Sequence, residues 1–375
     1  MTAVRIAQVV EATTGGVARQ VLDLVNGLRH SEFEQILYLS LQRPESWKSS
    51  FTALRERGFT VRELDMTRTP NGSASRQLDA WAAQDGVDLL HLHSAKAGYL
   101  GRAIAMPCPV IYTPHAFPFQ RIGDWRVPFY RMSEVWQAKR AEVIVCVSEG
   151  EREEANRVHI PWEKLKVINN GIDTEYWRPP DADELAQARR TAGLTADDVA
   201  IGFMGRLVPQ KGVDLLLEAM EECTGDFPQA RLCIWGDGPL RRPLLRMARR
   251  LGVKHALFYG EPEDVRMAYW SMDLCVLPSR WEAGPYTVLE AMATGLPLVV
   301  SDVPGNRDYM IHGTTGSVVE TDMLGLFDTT LRRYLNDPEL RHRQGTAARQ
   351  HVQNHYTRSE MLLEYAGLYH RVAGR

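Results

Sequence analysis

The chain has 375 residues, 44% hydrophobic and 24% charged, which suits a globular protein of two domains and excludes a disordered or fibrous one. A net charge of −3 argues against a dedicated nucleic-acid binder. No uncharged apolar run approaches the ~20 residues of a membrane span, and MTAVRIAQVV lacks the basic region, apolar core and cleavage site of a secretory signal, so the expected compartment is the cytoplasm.

Taken in chain order, apolar runs of strand length alternate with helical patterns. The first half carries VRIAQVV (4–10), QILYLSL (35–41), VDLLHLH (87–93), PVIYTPH (109–115), EVIVCVS (142–148) and LKVINNG (165–171). The second carries VAIGFMG (199–205), ARLCIWG (230–236), DLCVLPS (273–279) and LPLVVSD (296–302). Several runs are near-continuous rather than alternating, as parallel strands covered on both faces require. Val17, Val21, Leu24, Val25 and Leu28 share one helical face after the first run. This alternation predicts an α/β protein of doubly wound sheets. A turn and the paired prolines Pro179 and Pro180 interrupt the series, and an acidic helix start follows at Asp181. The expected domains are 1–177 and 178–355, with an amphipathic closing helix over 356–375 that carries Met361, Leu362, Tyr365, Leu368, Tyr369 and Val372. Five cysteines, odd in number, widely spread and without a C-x-x-C pair, read as buried reduced thiols.

Both halves begin strand, glycine-bearing loop, helix. Ligands bind beyond the carboxyl ends of such strands, so strand-end residues are the candidates. Gly15 and Gly16 either let backbone approach a phosphate or close a tight turn. Arg206 and Lys211, in GRLVPQKG, are placed to clamp a diphosphate, the alternative being two solvated loop charges. Taken alone, WGDGPLRRPLL (235–245) reads as a turn and a basic surface helix. FYGEPEDV (258–265), with Glu261, reads as a strand-end loop able to line a base pocket. His115 ends its strand on the ligand side, where it donates to a substrate or is simply a hydrogen-bonded strand-end histidine. His91 and His93 face one side of a strand, but no third ligand clusters with them, so no metal is expected.

The most informative stretch is PSRWEAGPYTVLEAMATGLPLVVSD (278–302). It predicts a loop with Glu282, a helix opening at Pro285 and carrying Glu290, and a stop at Gly295 and Pro297. The helix N-terminus at Tyr286, Thr287 and Val288 offers an anion site. A retaining glycosidase needs its two carboxyls about 5 Å apart, whereas eight helical residues span about 12 Å. Glu282 and Glu290 therefore suit different parts of one extended ligand. Within the first half, HAFPFQRIGDWRVPFYRMSEVWQAKR (115–140) interleaves Phe117, Phe119 and Trp125 with Arg121, Arg126 and Arg131. That mixture fits either an anionic lipid surface, and an acceptor held there, or a core-packed helix with a basic outer face.

Together TTGGVARQV, YTPHAF, VSEGEREE, NNGIDTEYW, MGRLVPQKG, WGDGPL, VLPSRWEAGPYTVLEAMATGLPLVVSDVPGNRD and HGTTG make the chain resemble retaining glycosyltransferases of family 4 over nearly its whole length. The long segment holds that family's Glu-x7-Glu pattern as Glu282 to Glu290. The resemblance implies the GT-B fold, two Rossmann-like domains facing across a cleft with the closing helix crossing back to the first. It implies a nucleotide-sugar donor, UDP- or GDP-linked, with no cofactor and no metal. Gly16 would approach the donor phosphates, and Arg206 and Lys211 would neutralise the leaving diphosphate. Glu282 would contact the transferred sugar and Glu290 the ribose. Backbone at Tyr286, Thr287 and Val288 would bind phosphate, and His115 would sit beside sugar and acceptor. The sequence departs from the family's usual Gly-Gly-x-x-Glu at Gly305-Asn306-Arg307-Asp308-Tyr309. The aromatic–basic segment resembles that of transferases building exopolysaccharide or O-antigen on lipid-linked acceptors at the inner face of the membrane. The competing expectations are another GT-B enzyme, a phosphorylase or a sugar-nucleotide epimerase, and a non-catalytic nucleotide-sugar-binding subunit.

Overall fold

A computed structural model describes residues 3–13, 15–29, 32–41, 53–67, 71–120, 123–320 and 324–374. The chain forms two compact units, Met1–Asn170 with Arg358–Arg375, and Gly171–Thr357. The change of unit falls between Asn170 and Gly171, before the paired prolines and earlier than the boundary at 177–178 expected from the sequence.

The first unit is built on a parallel sheet of seven strands, β1 (Val4–Val10), β2 (Phe33–Leu39), β3 (Thr60–Glu63), β4 (Leu89–His93), β5 (Val110–Thr113), β6 (Val143–Cys146) and β7 (Leu165–Val167). Their spatial order is β3-β2-β1-β4-β5-β6-β7. Every residue of β4 is buried, and in β1 only Arg5 is exposed, where it is held by Glu34 at 2.8 Å. Both faces of these strands are covered, which is why the sequence shows runs rather than alternation. The strand order reverses beside β1, so β1 and β4 flank the switch point. The helix Arg358–Val372 returns to this unit and packs Met361, Tyr365, Leu368 and Tyr369 against Val4, Ile6, Leu24 and Leu89.

The second unit repeats the plan with six parallel strands, β8 (Val199–Met204), β9 (Ala230–Trp235), β10 (Ala256–Gly260), β11 (Leu274–Leu277), β12 (Leu298–Ser301) and β13 (Gly316–Val319). Their order is β10-β9-β8-β11-β12-β13, which puts the reversal between β8 and β11. The sequence runs miss β3, β10 and β13, and each of these lies at a sheet edge. An edge strand is covered less completely, so it has less need of an apolar run.

The helix Tyr286–Ala293 buries every residue except Thr287. It ends in a Schellman motif, with Leu296 N–H donating to Ala291 O at 3.0 Å and Gly295 N–H to Met292 O at 3.0 Å. Pro285 stands one position earlier than its sequence suggests. It is the extended N-cap residue (φ −74°, ψ 126°), and the helix opens at Tyr286. Among the described residues no helix is long and apolar enough to cross a membrane.

Candidate functional site

In the second unit, three loops meet at the carboxyl ends of β8, β9 and β11. The loop after β8 carries Arg206 and Lys211. It is braced by the WGDGPL loop, with Leu207 N–H donating to Asp237 O at 2.8 Å and Leu240 N–H to Leu207 O at 3.0 Å. WGDGPL is thus a scaffold for the Arg206 loop as well as the start of a basic helix. Gly212 closes the loop at φ +63°, where an added Cβ would stand 2.0 Å from Pro278 O. Only glycine lets the β8 and β11 loops approach so closely. Arg280 then staples them, forking onto Asp214 at 2.9 and 2.6 Å.

That closeness brings two residues far apart in sequence into contact. Lys211 Nζ donates to Glu282 Oε1 at 2.5 Å. Ser279 Oγ donates to the same oxygen at 2.7 Å, Ser301 Oγ to Ser279 O at 2.5 Å, and Asn306 Nδ2 to Ser301 Oγ at 3.1 Å. Glu282 is buried, and among the described residues its Oε2 has no partner. An added Cβ on Gly305 would lie 2.4 Å from the Ala283 carbonyl carbon, so the Gly305-Asn306 segment lies directly behind Glu282. The departure noted in the sequence is therefore part of this carboxylate's support.

Arg206 is exposed, and among the described residues its guanidinium has neither a hydrogen bond nor an ion pair. Such a cation is free to meet an anionic ligand. Glu290 is buried and accepts a hydrogen bond from the fully buried Tyr269 hydroxyl at 2.8 Å. The first turn around Tyr286, Thr287 and Val288 has no side-chain cap, and Thr287 Oγ1 is buried without a partner among the described residues. Helix N–H groups of this kind favour an anion. Glu261 is exposed just after β10.

In the first unit, Gly15 and Gly16 are exposed at the helix opening after β1, and Gly15 takes φ +61°. His115 follows β5 in a turn where both His115 (φ +51°) and Ala116 (φ +80°) adopt the left-handed region, uncommon for residues with a Cβ. Glu151 holds the turn. Its buried carboxylate accepts Ala116 N–H and Val147 N–H, each at 2.8 Å. Burial pushes the Glu151 carboxyl up to about 7, against those two bonds. Burial also lowers His115 to about 3, so its ring is neutral at physiological pH. All four ring nitrogens of His91 and His93 are engaged by protein groups: Tyr369, Thr113, His115 and Gln8.

The aromatic–basic segment divides. Phe117 and Phe119 are buried and stacked at 4.8 Å, so they belong to the core rather than to an exposed lipid or acceptor face. Apolar burial outweighs their place in the motif. Arg121 lies outside the described residues. Trp125 is 78% exposed, and on the helix Val127–Ala138 the side chains of Phe129, Met132 and Trp136 are also exposed. That helix is inverted, because its buried residues are Glu134, Gln137 and Ala138. Glu134 pairs with buried Arg102 at 2.8 Å. Arg126 is held by Asp124, whereas exposed Arg131 has no acidic partner among the described residues. Beside the helix lies a cavity of about 540 Å³ lined by Met132, Val135, Trp136, Arg131, Lys139 and Arg157.

Ser279, Ser301, Asn306, Tyr269 and Glu151 were not singled out by sequence reasoning. Each acts through a partner on another element, and a pairing of that kind leaves no local signal. Gly305-Asn306 alone carried a hint, as a break in an expected pattern.

The chain matches the family model for glycosyl transferases group 1 over residues 186–351 and that for glycosyltransferase family 4 over residues 14–176. It is 30% identical over 269 residues to the UDP-Gal:alpha-D-GlcNAc-diphosphoundecaprenol alpha-1,3-galactosyltransferase of Escherichia coli, covering 68% of this chain and 67% of that one. Among solved structures, Anabaena Alr3699/HepE in complex with UDP and glucose superposes with a TM-score of 0.84 at 19% identity, over 97% of this chain and 98% of that one. WaaG, a glycosyltransferase involved in lipopolysaccharide biosynthesis, superposes with a TM-score of 0.78 at 17% identity, over 99% and 100%. These two establish likeness of fold, the GT-B type.

Proposed function

The chain belongs to the group 1 and family 4 glycosyltransferases, and from that premise we propose that it transfers a hexose-type sugar, with retention, from a UDP- or GDP-sugar to a lipid-linked glycan. The observation that carries this reading is the grouping of Lys211, Glu282 and Ser279 at the β8–β11 switch point, close in sequence to a helix start whose N-cap Pro285 supplies no side-chain cap, with Arg206 on the β8 loop unpaired among the described residues. Phosphates seat on the helix start, and Arg206 and Lys211 neutralise the diphosphate as it departs. No metal is required for that step. Glu282 Oε2 takes a sugar hydroxyl, Glu290 takes the ribose hydroxyls, and His115 serves the sugar or acceptor. The bond from the anomeric carbon to the diphosphate breaks as the bond to the acceptor oxygen forms on the same face. The acceptor proton passes to a phosphate oxygen.

The E. coli relative, by its name, uses UDP-Gal and a diphosphoundecaprenol-linked acceptor, which supports a UDP-sugar and a lipid-linked acceptor here. The inverted helix Val127–Ala138 supports the same acceptor class. Apolar side chains face outward beside Arg131 and Lys139, an arrangement suited to an anionic membrane surface on the cytoplasmic side.

The test is a donor panel of UDP- and GDP-sugars with membrane-extracted lipid-linked glycans as acceptors, read by nucleoside diphosphate release and by the anomeric configuration of the product. Release that needs the acceptor, with the donor's configuration kept, is the expected result. Donor binding without transfer to any extract would favour a nucleotide-sugar-binding subunit, and turnover without acceptor would favour an epimerase. Flotation with liposomes tests the membrane part, and binding independent of anionic lipid would remove it.

A further inference from the structure

His91, His93, Gln8 and Tyr369 form a polar cluster inside the first unit that the transfer chemistry does not use. The cluster reaches His115. Gln8 Nε2 donates to Gln35 Oε1 at 3.0 Å and to the Tyr369 hydroxyl at 3.2 Å, and Gln8 Oε1 lies 2.7 Å from His93 Nε2. In this orientation Gln8 presents its oxygen to His93, and turning Gln8 over by itself would set its oxygen against Gln35 Oε1. An amide oxygen only accepts, so His93 Nε2 carries the proton. Burial keeps His93 neutral and lowers its pKa far below the usual histidine value. A neutral imidazole carries one proton, which makes His93 Nδ1 a lone pair. His93 Nδ1 stands 3.2 Å from His115 Nε2, and this contact is a hydrogen bond only if His115 Nε2 is protonated.

We propose that His93, fixed in its tautomer by Gln8, is a positioning residue that locks His115 as the Nε2-protonated neutral ring and leaves His115 Nδ1 as an acceptor for a substrate hydroxyl. The tautomer follows from these hydrogen bonds and from the full burial of His93, and only the final clause rests on the reading of His115 as a residue that meets substrate. The role differs from the donor role suggested by the sequence, because the ring's one proton is spent on His93. Among the described residues Nδ1 has no partner. A hydroxyl can donate to it, whereas a carbonyl or phosphate oxygen cannot.

The test is a long-range 1H–15N correlation spectrum of the full chain labelled at its histidine rings, with the His115 signals identified by their loss in His115→Gln. The expected wild-type spectrum gives His115 a protonated Nε2 and a pyridine-type Nδ1. Gln8→Met removes the acceptor on which His93 depends. His93 then samples both tautomers, and the His115 Nδ1 resonance moves toward the two-tautomer average. Gln8→Asn, which withdraws the amide by one methylene but stays polar, is the second variant should the first not fold, and the same shift is expected. A wild-type His115 protonated on Nδ1 overturns the proposal, as does an unchanged His115 spectrum in the folded Gln8 variants. The spectra need no substrate, so they stand even if no transferase activity is found. Movement of His115 Nδ1 on adding a UDP-sugar or extracted glycan then tests the last clause, and absence of movement with every such probe removes it.

Discussion

Lys211 Nζ and Glu282 Oε1 lie 2.5 Å apart, across 71 residues of sequence, with side chains that are 17% and 7% exposed. The sequence motifs suggest separate tasks for them, a phosphate cation and a sugar carboxylate, but the fold makes them a pair. Removing one partner of a buried pair leaves the other charge uncompensated. Lys211→Met and Glu282→Gln should each cost about 3–5 kcal/mol. The double variant should lose less than the sum, by roughly 0.5–3 kcal/mol of coupling. Chemical denaturation of the four proteins checks this, and strictly additive losses would remove the pair as an energetic unit.

Arg206 contrasts with Lys211. It is exposed and unpartnered among the described residues, so nothing in the folded state depends on its charge. Arg206→Ala should leave stability within about 0.5 kcal/mol. Turnover should still fall by about 10²–10³-fold, the scale for losing one charge-stabilising donor. Arg206→Lys should not restore it fully, because a point charge does not replace a fork. Normal turnover in Arg206→Ala would take this residue out of the site.

Glu290 is oriented by the Tyr269 hydroxyl at 2.8 Å. Glu290→Ala should weaken nucleotide binding by tenfold or more, at least about 1.4 kcal/mol. Tyr269→Phe should give a smaller loss in the same direction, since the carboxylate remains but one bond that aims it is gone. Calorimetric titration with UDP and GDP measures both. An unaltered affinity in Glu290→Ala would contradict the ribose assignment.

Glu151 links pH to stability. Its folded-state pKa is raised from 4.5 to about 7, so the folded chain holds that proton more tightly than the unfolded chain. Its contribution is therefore complete below about 4.5 and is lost as pH rises through about 7. Glu151→Gln should flatten the stability profile across that window, and it should also loosen the His115–Ala116 turn by removing one of the two acceptors. An identical slope in wild type and variant would show that Glu151 does not titrate there.

His115 gives the opposite sign. Its pKa is depressed from 6.5 to about 3, so the neutral ring's contribution is complete above 6.5 and is lost progressively as pH falls from there through about 3. The pH–rate profile should therefore show no inflection near 6.5 attributable to His115. If an inflection there appears in the wild type and disappears in His115→Gln, the ring is not the neutral group described.

Much of the molecule was legible in its sequence because the signals are local and periodic. β1 occupies the expected residues 4–10, and the second unit opens its strand series at Val199 as expected. Apolar runs mark strands covered on both faces, and Gly295 marks a helix stop through a two-bond cap made by its own neighbours. The residues flanking the β8–β11 switch point, Arg206, Lys211, Glu282 and Glu290, were likewise visible as strand-end and helix-start chemistry.

Only the tertiary structure decided what those residues touch. Gly212 and Gly305 permit backbone approaches that put Lys211 and Ser279 on Glu282 with Asn306 behind them. Phe117 and Phe119 went to the core while Trp125 and Trp136 stayed outside, although all four look alike in composition. The physical reason is common to each case. Periodicity and capping act over one or two turns and are written in neighbouring residues. Hydrogen bonds and burial between distant segments depend on where the folded chain brings them.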